Sequence, residues 1–160
     1  MRTIAAALAA SLLLVPAALA QNCPVPPAAW GTNINLTSAT ASPELEPARM
    51  MLEQAATVAL HPVNEVRFAA PPEKRADATS YGGMLAVDVR EAGTYQVSLS
   101  AGAWVDVLKD GAALASTAHD HGADCSGLRK MVSFALQPGR HVIQLSGNKE
   151  DTIKVLVARR

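Results

Sequence analysis

The segment TAHDHGADCSG, residues 117–127, is the densest group of chemically versatile side chains in the 160-residue sequence. It contains His119, Asp120, His121, Asp124 and Cys125. Two histidines two positions apart share one face of a strand or chelate from a loop, and imidazole pairs suit zinc or copper. One hypothesis is therefore a metal site with His119 and His121 as ligands, completed by a carboxylate or the thiolate.

A second hypothesis treats the same segment as a polar loop held by a disulfide. The sequence has only two cysteines, Cys23 and Cys125, and such a pair in an exported protein forms a disulfide. A metal site needs three or four converging ligands, and Cys125 cannot serve in both roles. We therefore predict a Cys23–Cys125 bridge without a cofactor, and we keep the zinc or copper site at His119 and His121 as the alternative.

Catalytic motifs give no competing interpretation. Ser116, His119 and Asp120 are the residue types of a hydrolase triad, but they lie within five positions and no G-x-S-x-G motif occurs. No G-x-G-x-x-G or phosphate loop is present either. We predict no catalytic residues, and more generally a protein that is not an enzyme.

The N-terminus indicates export. Arg2 precedes an apolar run over residues 4–15, and Ala18-Leu19-Ala20 has the small-x-small pattern that a signal peptidase recognises. The run is too short for a permanent membrane anchor. We predict a signal peptide over residues 1–20, no membrane anchor, and a periplasmic or secreted product.

Charge and aromatic content exclude some partners. Without Arg2, 13 basic residues balance 14 acidic ones, and aromatic residues make up 4% of the chain. Nucleic acids and anionic membranes require clustered positive charge, and single strands also require stacking platforms. We therefore expect no nucleic-acid partner.

Beyond the signal peptide, two regions differ in proline content and in the pattern of apolar and polar residues. Residues 21–49 are rich in proline and are predicted to be an irregular extension, with a short helix beginning at Ser42-Pro43 and a second helix candidate over 48–56. Residues 50–160 are predicted to be the folded domain. From Thr57 onward, apolar and polar residues alternate in short runs, which is typical of strands with one buried face. The predicted strands are 57–60, 65–68, 84–89, 94–99, 104–108, 113–115, 131–136, 141–145 and 153–157.

Turn residues support this interpretation. Asp110-Gly111 predicts a two-residue hairpin, and residues 91–93, 137–139 and 146–148 also carry turn signals. About nine short strands without crossover helices indicate an all-β fold, an antiparallel β-sandwich of jelly-roll type. Within it, Tyr95 is predicted to lie in the core, Asp88 and Asp106 to point outward, and Trp104 to pack or to stack on a sugar.

Two family resemblances follow from these strands. EAGTYQVSLSAGAWVDVLKDGAALAS and FALQPGRHVIQLSG resemble the pre-peptidase C-terminal β-sandwich domains of secreted bacterial peptidases, although His141 stands where that family has a tyrosine. The resemblance implies a non-catalytic accessory or binding module. It covers about residues 80–157.

The motifs SYGG, AWVDVLKDG, STAHDHG and CSGLRK resemble small exported alphaproteobacterial proteins that often carry the name homogentisate 1,2-dioxygenase. Enzymes with that activity are similar to much longer cupin chains, in which two histidines and a glutamate hold iron. No such arrangement can be placed on residues 21–160, so we do not expect this activity. The predicted function is an exported, non-enzymatic β-sandwich module that binds a partner protein or small ligand. The alternative is a metal-binding domain or metalloenzyme that uses His119 and His121.

Overall fold

The computed structural model describes residues 26–160, so the predicted signal peptide and Cys23 lie outside the described residues. Twelve strands form in this part of the chain. They are β1 (Ile34–Thr37), β2 (Arg49–Met50), β3 (Ala56–Ala59), β4 (His61–Pro62), β5 (Tyr81–Val89), β6 (Gly93–Leu99), β7 (Trp104–Lys109), β8 (Ala112–Ala113), β9 (Ser116–Asp120), β10 (Lys130–Leu136), β11 (Gly139–Asn148) and β12 (Thr152–Arg159).

The strands form two six-stranded sheets that enclose a single main core. The first sheet has the order β1-β3-β12-β6-β10-β9, and the second has the order β2-β5-β11-β7-β8 with β4 paired to β5. Val97 and Val155 of the first sheet share one buried cluster with Leu85 and Ile143 of the second. The fold is therefore an all-β sandwich, as the alternating pattern predicts.

The pairing is not purely antiparallel, and the strands outnumber the nine predicted. β1 runs parallel to β3, and β2 runs parallel to β5. Both parallel strands come from the segment before residue 51, which lies along the edges of a sandwich built by the rest of the chain. No helix among the described residues is long and apolar enough to cross a membrane.

Eight of the nine predicted strands overlap observed ones, although the strand predicted over 113–115 does so only at Ala113. The strand predicted over 65–68 is wrong. Val63–Glu65 forms a 3-10 turn instead. Val66 is buried, but its amide bonds to the carbonyl of Val63 rather than to a neighbouring strand. The alternation of apolar and polar residues over 65–68 therefore comes from a partly buried connecting segment and not from a strand.

Residues 66–80, which we call the strap, cross the outer face of the second sheet. The side-chain amide of Gln144 on β11 bonds to both the N–H and the C=O of Ala70, each at 3.1 Å. Asp106 on β7 accepts the amide N–H of Glu73 at 3.3 Å. Buried polar side chains on that face thus satisfy the backbone of the strap.

The backbone of β11 explains the first glycine of the SYGG motif. A Cβ on Gly82 would lie 2.6 Å from the carbonyl oxygen of Leu145 on β11, and 3.2 Å from the ring of Phe68 in the strap. Only glycine fits where the β11 backbone lies this close to β5.

The helix predicted over 48–56 is wrong. Ala48 and Met50 are buried while Arg49 between them is exposed, which is the two-residue period of strand β2. The chain then turns through Glu53 at φ 60° before β3 begins. The short helix near Ser42 exists as a 3-10 turn over Ser42–Glu44, but its cap position is Ala41 and no side chain caps it.

The segment predicted to be irregular contributes to the sandwich. β1 extends the first sheet, and Ala39 and Leu45 belong to the main core. Trp30 fills a second buried cluster with Leu128 and Leu156. Proline removes backbone donors, but it did not prevent the residues between prolines from pairing at a sheet edge.

Two of the predicted turns have contrasting outcomes. Asp110 and Gly111 adopt φ 51° and 81° between the paired residues Lys109 and Ala112, which confirms the two-residue hairpin. Residues 146–148 do not form a turn, because β11 continues through them and its pairing with β5 shifts there. The positive φ of Gly147 therefore serves a bulge.

Candidate functional site

The histidine segment lies at the open edge of the first sheet. Ser116–Asp120 forms strand β9, so the prediction of a loop directly after Ala115 is wrong. Among the described residues β9 pairs with β10 alone, and each of its five residues is exposed. The ring Nε2 of His119 lies 2.8 Å from the hydroxyl of Ser116.

His121 lies just beyond the strand and closes the connection to β10. Its Nδ1 lies 3.1 Å from the carbonyl oxygen of Arg129, and its amide bonds to the Asp120 carboxylate at 2.8 Å. The Ser126 hydroxyl then accepts the amide N–H of Leu128 at 3.1 Å. The segment is a closed polar connection with its ring nitrogens facing hydroxyl and carbonyl oxygens.

No group of three or more histidine, cysteine, aspartate or glutamate side chains within residues 26–160 is arranged to hold a metal ion. His61 and His141 do not supply the missing ligands. His61 lies on β4 with its Nε2 3.0 Å from the carbonyl oxygen of Ser38, and His141 is buried on β11. A metal at His119 and His121 would therefore need ligands from beyond this set.

Replacing His119 or His121 with alanine is expected to change the free energy of unfolding by less than about 0.5 kcal/mol, because both side chains are exposed. Chemical denaturation of each variant beside the wild type, with metal analysis of the purified protein, measures this. A loss of several kcal/mol in either variant would instead mean that a bound metal contributes folding energy.

The predicted bridge from Cys125 has its second cysteine outside the described residues. Cys125 lies in the 3-10 turn Asp124–Ser126 and is not a free thiol. Trp30 packs against Leu128, so the described chain runs beside this turn seven residues after Cys23.

A cleft of about 700 Å³ lies where the ends of both sheets meet the turn after β2. Its volume falls within the roughly 300–1,000 Å³ of sites that bind small ligands. The lining residues are Arg49, Met50, Met51, Leu52, Glu53, Asp88, Arg90, Glu91, Tyr95 and Arg159.

The carboxylates of this cleft are all engaged within the protein. Glu53 accepts the amide N–H of Arg159 at 2.6 Å, and Glu91 forms an ion pair with the Arg159 guanidinium at 2.6 Å. Asp88 pairs with Arg49 at 3.2 Å and with Arg140 at 3.0 Å. Hydrogen bonds from Arg140, and secondarily from Arg49, lower the pKa of Asp88, so it is ionised at neutral pH.

Arg90 and Met51 differ from the other cleft residues. The Arg90 side chain is exposed and makes no hydrogen bond or ion pair with the described residues. Met51 is 65% exposed, and no other large apolar side chain within residues 26–160 is classed as exposed. The cleft therefore presents an unpaired cation and an apolar side chain together. Sequence analysis did not identify either residue as part of a site. Arg90 follows β5 and Met51 follows β2, so they are far apart in the sequence and only the fold places both in the cleft.

A smaller pocket surrounds Trp104, at the start of β7. The indole Nε1–H donates to Asp106 at 2.9 Å, and the Nζ atoms of Lys130 and Lys74 lie 4.7 and 5.9 Å from the ring centroid. Burial of the ammonium group, and secondarily the charge of Lys74, lower the pKa of Lys130. Asp106 does face away from the core as predicted, but the strap buries it.

The other predicted side-chain positions are confirmed. Tyr95 is buried in the core with its hydroxyl donating to the carbonyl of Glu91 at 2.9 Å. Asp88 is exposed on the outer face of the second sheet.

No family model matches this chain, and no curated protein matches it significantly.

Proposed function

We propose that this protein is an exported, non-enzymatic binding module, and that its ligand or partner segment occupies the cleft between the sheet ends. The observation that carries the proposal is the meeting of Met51 and Arg90 in a cleft of about 700 Å³. Such a site suits an apolar group that carries an anionic end. A long-chain carboxylate has this chemistry, and so does a partner segment with an apolar side chain beside a carboxylate.

The charges around the cleft support binding rather than acid-base catalysis. Glu53, Asp88 and Glu91 are each partnered by an arginine side chain or by backbone, whereas Arg90 has no such partner within residues 26–160. Arg90 remains available for a carboxylate, which a guanidinium recognises through two parallel hydrogen bonds.

Isothermal titration with decanoate tests the proposal, because decanoate combines an alkyl chain with a carboxylate. We expect the wild type to bind decanoate and to bind 1-decanol, which lacks the charge, at least tenfold more weakly. Arg90→Ala should weaken decanoate binding about tenfold and leave 1-decanol binding unchanged, since a charge-assisted hydrogen bond contributes about 1.5–3 kcal/mol.

Arg67→Ala is the matched control, because Arg67 is equally exposed and lies outside the cleft. Met51→Ser should weaken the binding of both decanoate and 1-decanol, because it removes an apolar contact that both ligands use. Equal effects of Arg90→Ala and Arg67→Ala would contradict a specific site, as would decanoate binding that Met51→Ser leaves unchanged.

A further inference from the structure

We propose that the pocket beside Trp104 is a second binding site, and that it takes a single sugar ring bearing a carboxylate, such as a uronate residue. The pocket has a volume of about 190 Å³. It lies on the outer side of the second sheet, between the strap and the bulge of β11. Its lining residues are Lys74, Arg75, Ala76, Asp77, Gly102, Trp104, Ser146 and Gly147.

The indole supplies an apolar wall of the pocket for the sugar ring, beside the ammonium groups of Lys74 and Lys130. Trp104 is only half-buried, and it lines the pocket. Its position is fixed, because Nε1–H bonds to Asp106 and the Asp106 carboxylate also holds the strap through the amide of Glu73. A fixed aromatic face binds the C–H face of a sugar with little loss of side-chain freedom.

The charge around the pocket is positive. Lys74 and Arg75 line it and form no salt bridge among the described residues. Lys130 lies outside the lining, with its ammonium group near the indole and donating to the carbonyl oxygen of Ala103 at 2.9 Å. The two nearby carboxylates are engaged, since Asp77 accepts hydrogen bonds from Thr79 and Asp106 is held as described. The ammonium groups of Lys74 and Lys130 both lie near the indole and repel each other, and a carboxylate bound beside Lys74 would relieve that repulsion.

The size of the pocket limits the ligand to one ring. Sites for drug-sized molecules measure roughly 300–1,000 Å³, and this pocket is smaller. A uronate combines the three required features: one ring, a C–H face and a carboxylate. A neutral hexose lacks the third, and inorganic phosphate lacks the first two.

The indole N–H resonance of Trp104 provides the test, assigned by its loss in Trp104→Phe. We expect this resonance to shift and saturate on titration with methyl glucuronide at constant ionic strength, with a dissociation constant in the millimolar range. Methyl glucoside should bind at least fivefold more weakly. The Trp30 resonance should not move, because Trp30 packs in a separate buried cluster.

Lys74→Ala and Arg75→Ala should each weaken glucuronide binding at least threefold. Lys149→Ala, which removes an exposed lysine outside the pocket, should leave it unchanged. Equal binding of glucoside and glucuronide would overturn the role of the cations. An equal shift with inorganic phosphate would reduce the site to a general anion site, and the absence of any saturable shift would remove the site altogether.

Discussion

Replacing Cys23 with serine is expected to lower the free energy of unfolding by about 4–5 kcal/mol under non-reducing conditions. The predicted bridge to Cys125 closes a loop of about 100 residues, and restricting a loop of that length in the unfolded chain is worth this amount in the chain-entropy model. Thermal unfolding should shift downward by roughly 10–20 °C. Calorimetry of the wild type and the variant at one scan rate measures the difference.

Three variants and one reagent make this test specific. Cys23→Ser, Cys125→Ser and the double variant each remove the same bond, so all three should lose the same stability. Thiol titration in denaturant should find none in the wild type, one in each single variant and none in the double variant. Dithiothreitol should lower the wild type to the level of the variants. Two titratable thiols in the wild type would show that the bridge is absent.

The environment of Cys125 explains why the bridge matters for this particular segment. Cys125 lies between the edge strand β9 and Leu128, which packs against Trp30. A bond at Cys125 would therefore connect the start of the folded chain to the same connection that carries His119 and His121. Because the thiol would then be unavailable, the metal hypothesis depends on ligands that the described residues do not supply.

The strands that sequence analysis found are those in which apolar and polar residue types alternate along the chain. In Trp104–Lys109 and Thr152–Arg159, side chains facing the core alternate with those facing away, and this pattern is visible without knowledge of any partner strand. The Asp110-Gly111 hairpin was predictable for the same reason, since positive φ is a property of the residues themselves.

Several strands at the sheet edges were missed because they are defined by pairing with a neighbouring strand and not by a pattern in their own sequence. All five residues of β9 are exposed, so the strand has no alternation, and only its register with β10 defines it. β2 has two residues and exists because it lies beside β5. Edge strands are short and weakly patterned in general, which hides them from a reading of composition.

The cleft was missed for a related reason. Arg90 follows β5 in the second sheet, Met51 follows β2, and Arg159 ends β12 in the first sheet. Nothing in their spacing along the chain brings them together. The histidine pair drew attention because it is local in sequence, whereas the cleft is assembled by the topology.

His141 is expected to make this protein less stable as the pH falls below the ordinary histidine pKa of about 6.5. The side chain is 1% exposed, Nδ1 lies 3.2 Å from the carbonyl oxygen of Gly139, and Nε2 has no hydrogen-bond partner within residues 26–160. With Nδ1–H donating to that carbonyl, a second proton would have to lie on Nε2, where these residues supply no acceptor. Burial lowers the pKa of His141, while the Gly139 carbonyl opposes this effect and Lys109 adds to it.

The sign of the dependence follows from that depressed pKa. The unfolded chain binds the proton near the ordinary histidine pKa of about 6.5, and the folded protein binds it only at lower pH. The contribution of the neutral ring is therefore complete above about pH 6.5 and is lost as the pH falls through the folded-state value. Because a single proton is involved, the free energy of unfolding changes by at most about 1.4 kcal/mol per pH unit.

Urea denaturation of the wild type and His141→Leu at pH 7, 6 and 5 tests this expectation. The wild type should lose stability steadily across the series, while the leucine variant should show a clearly smaller loss because its side chain binds no proton. Hydrogen bonds from Arg140 and Thr79 lower the pKa of Asp88 and of Asp77, so the stability that these carboxylates contribute is lost only at more acidic pH. If wild type and His141→Leu lose stability in parallel, the proton is bound elsewhere, and the buried imidazole is only a packing element of β11.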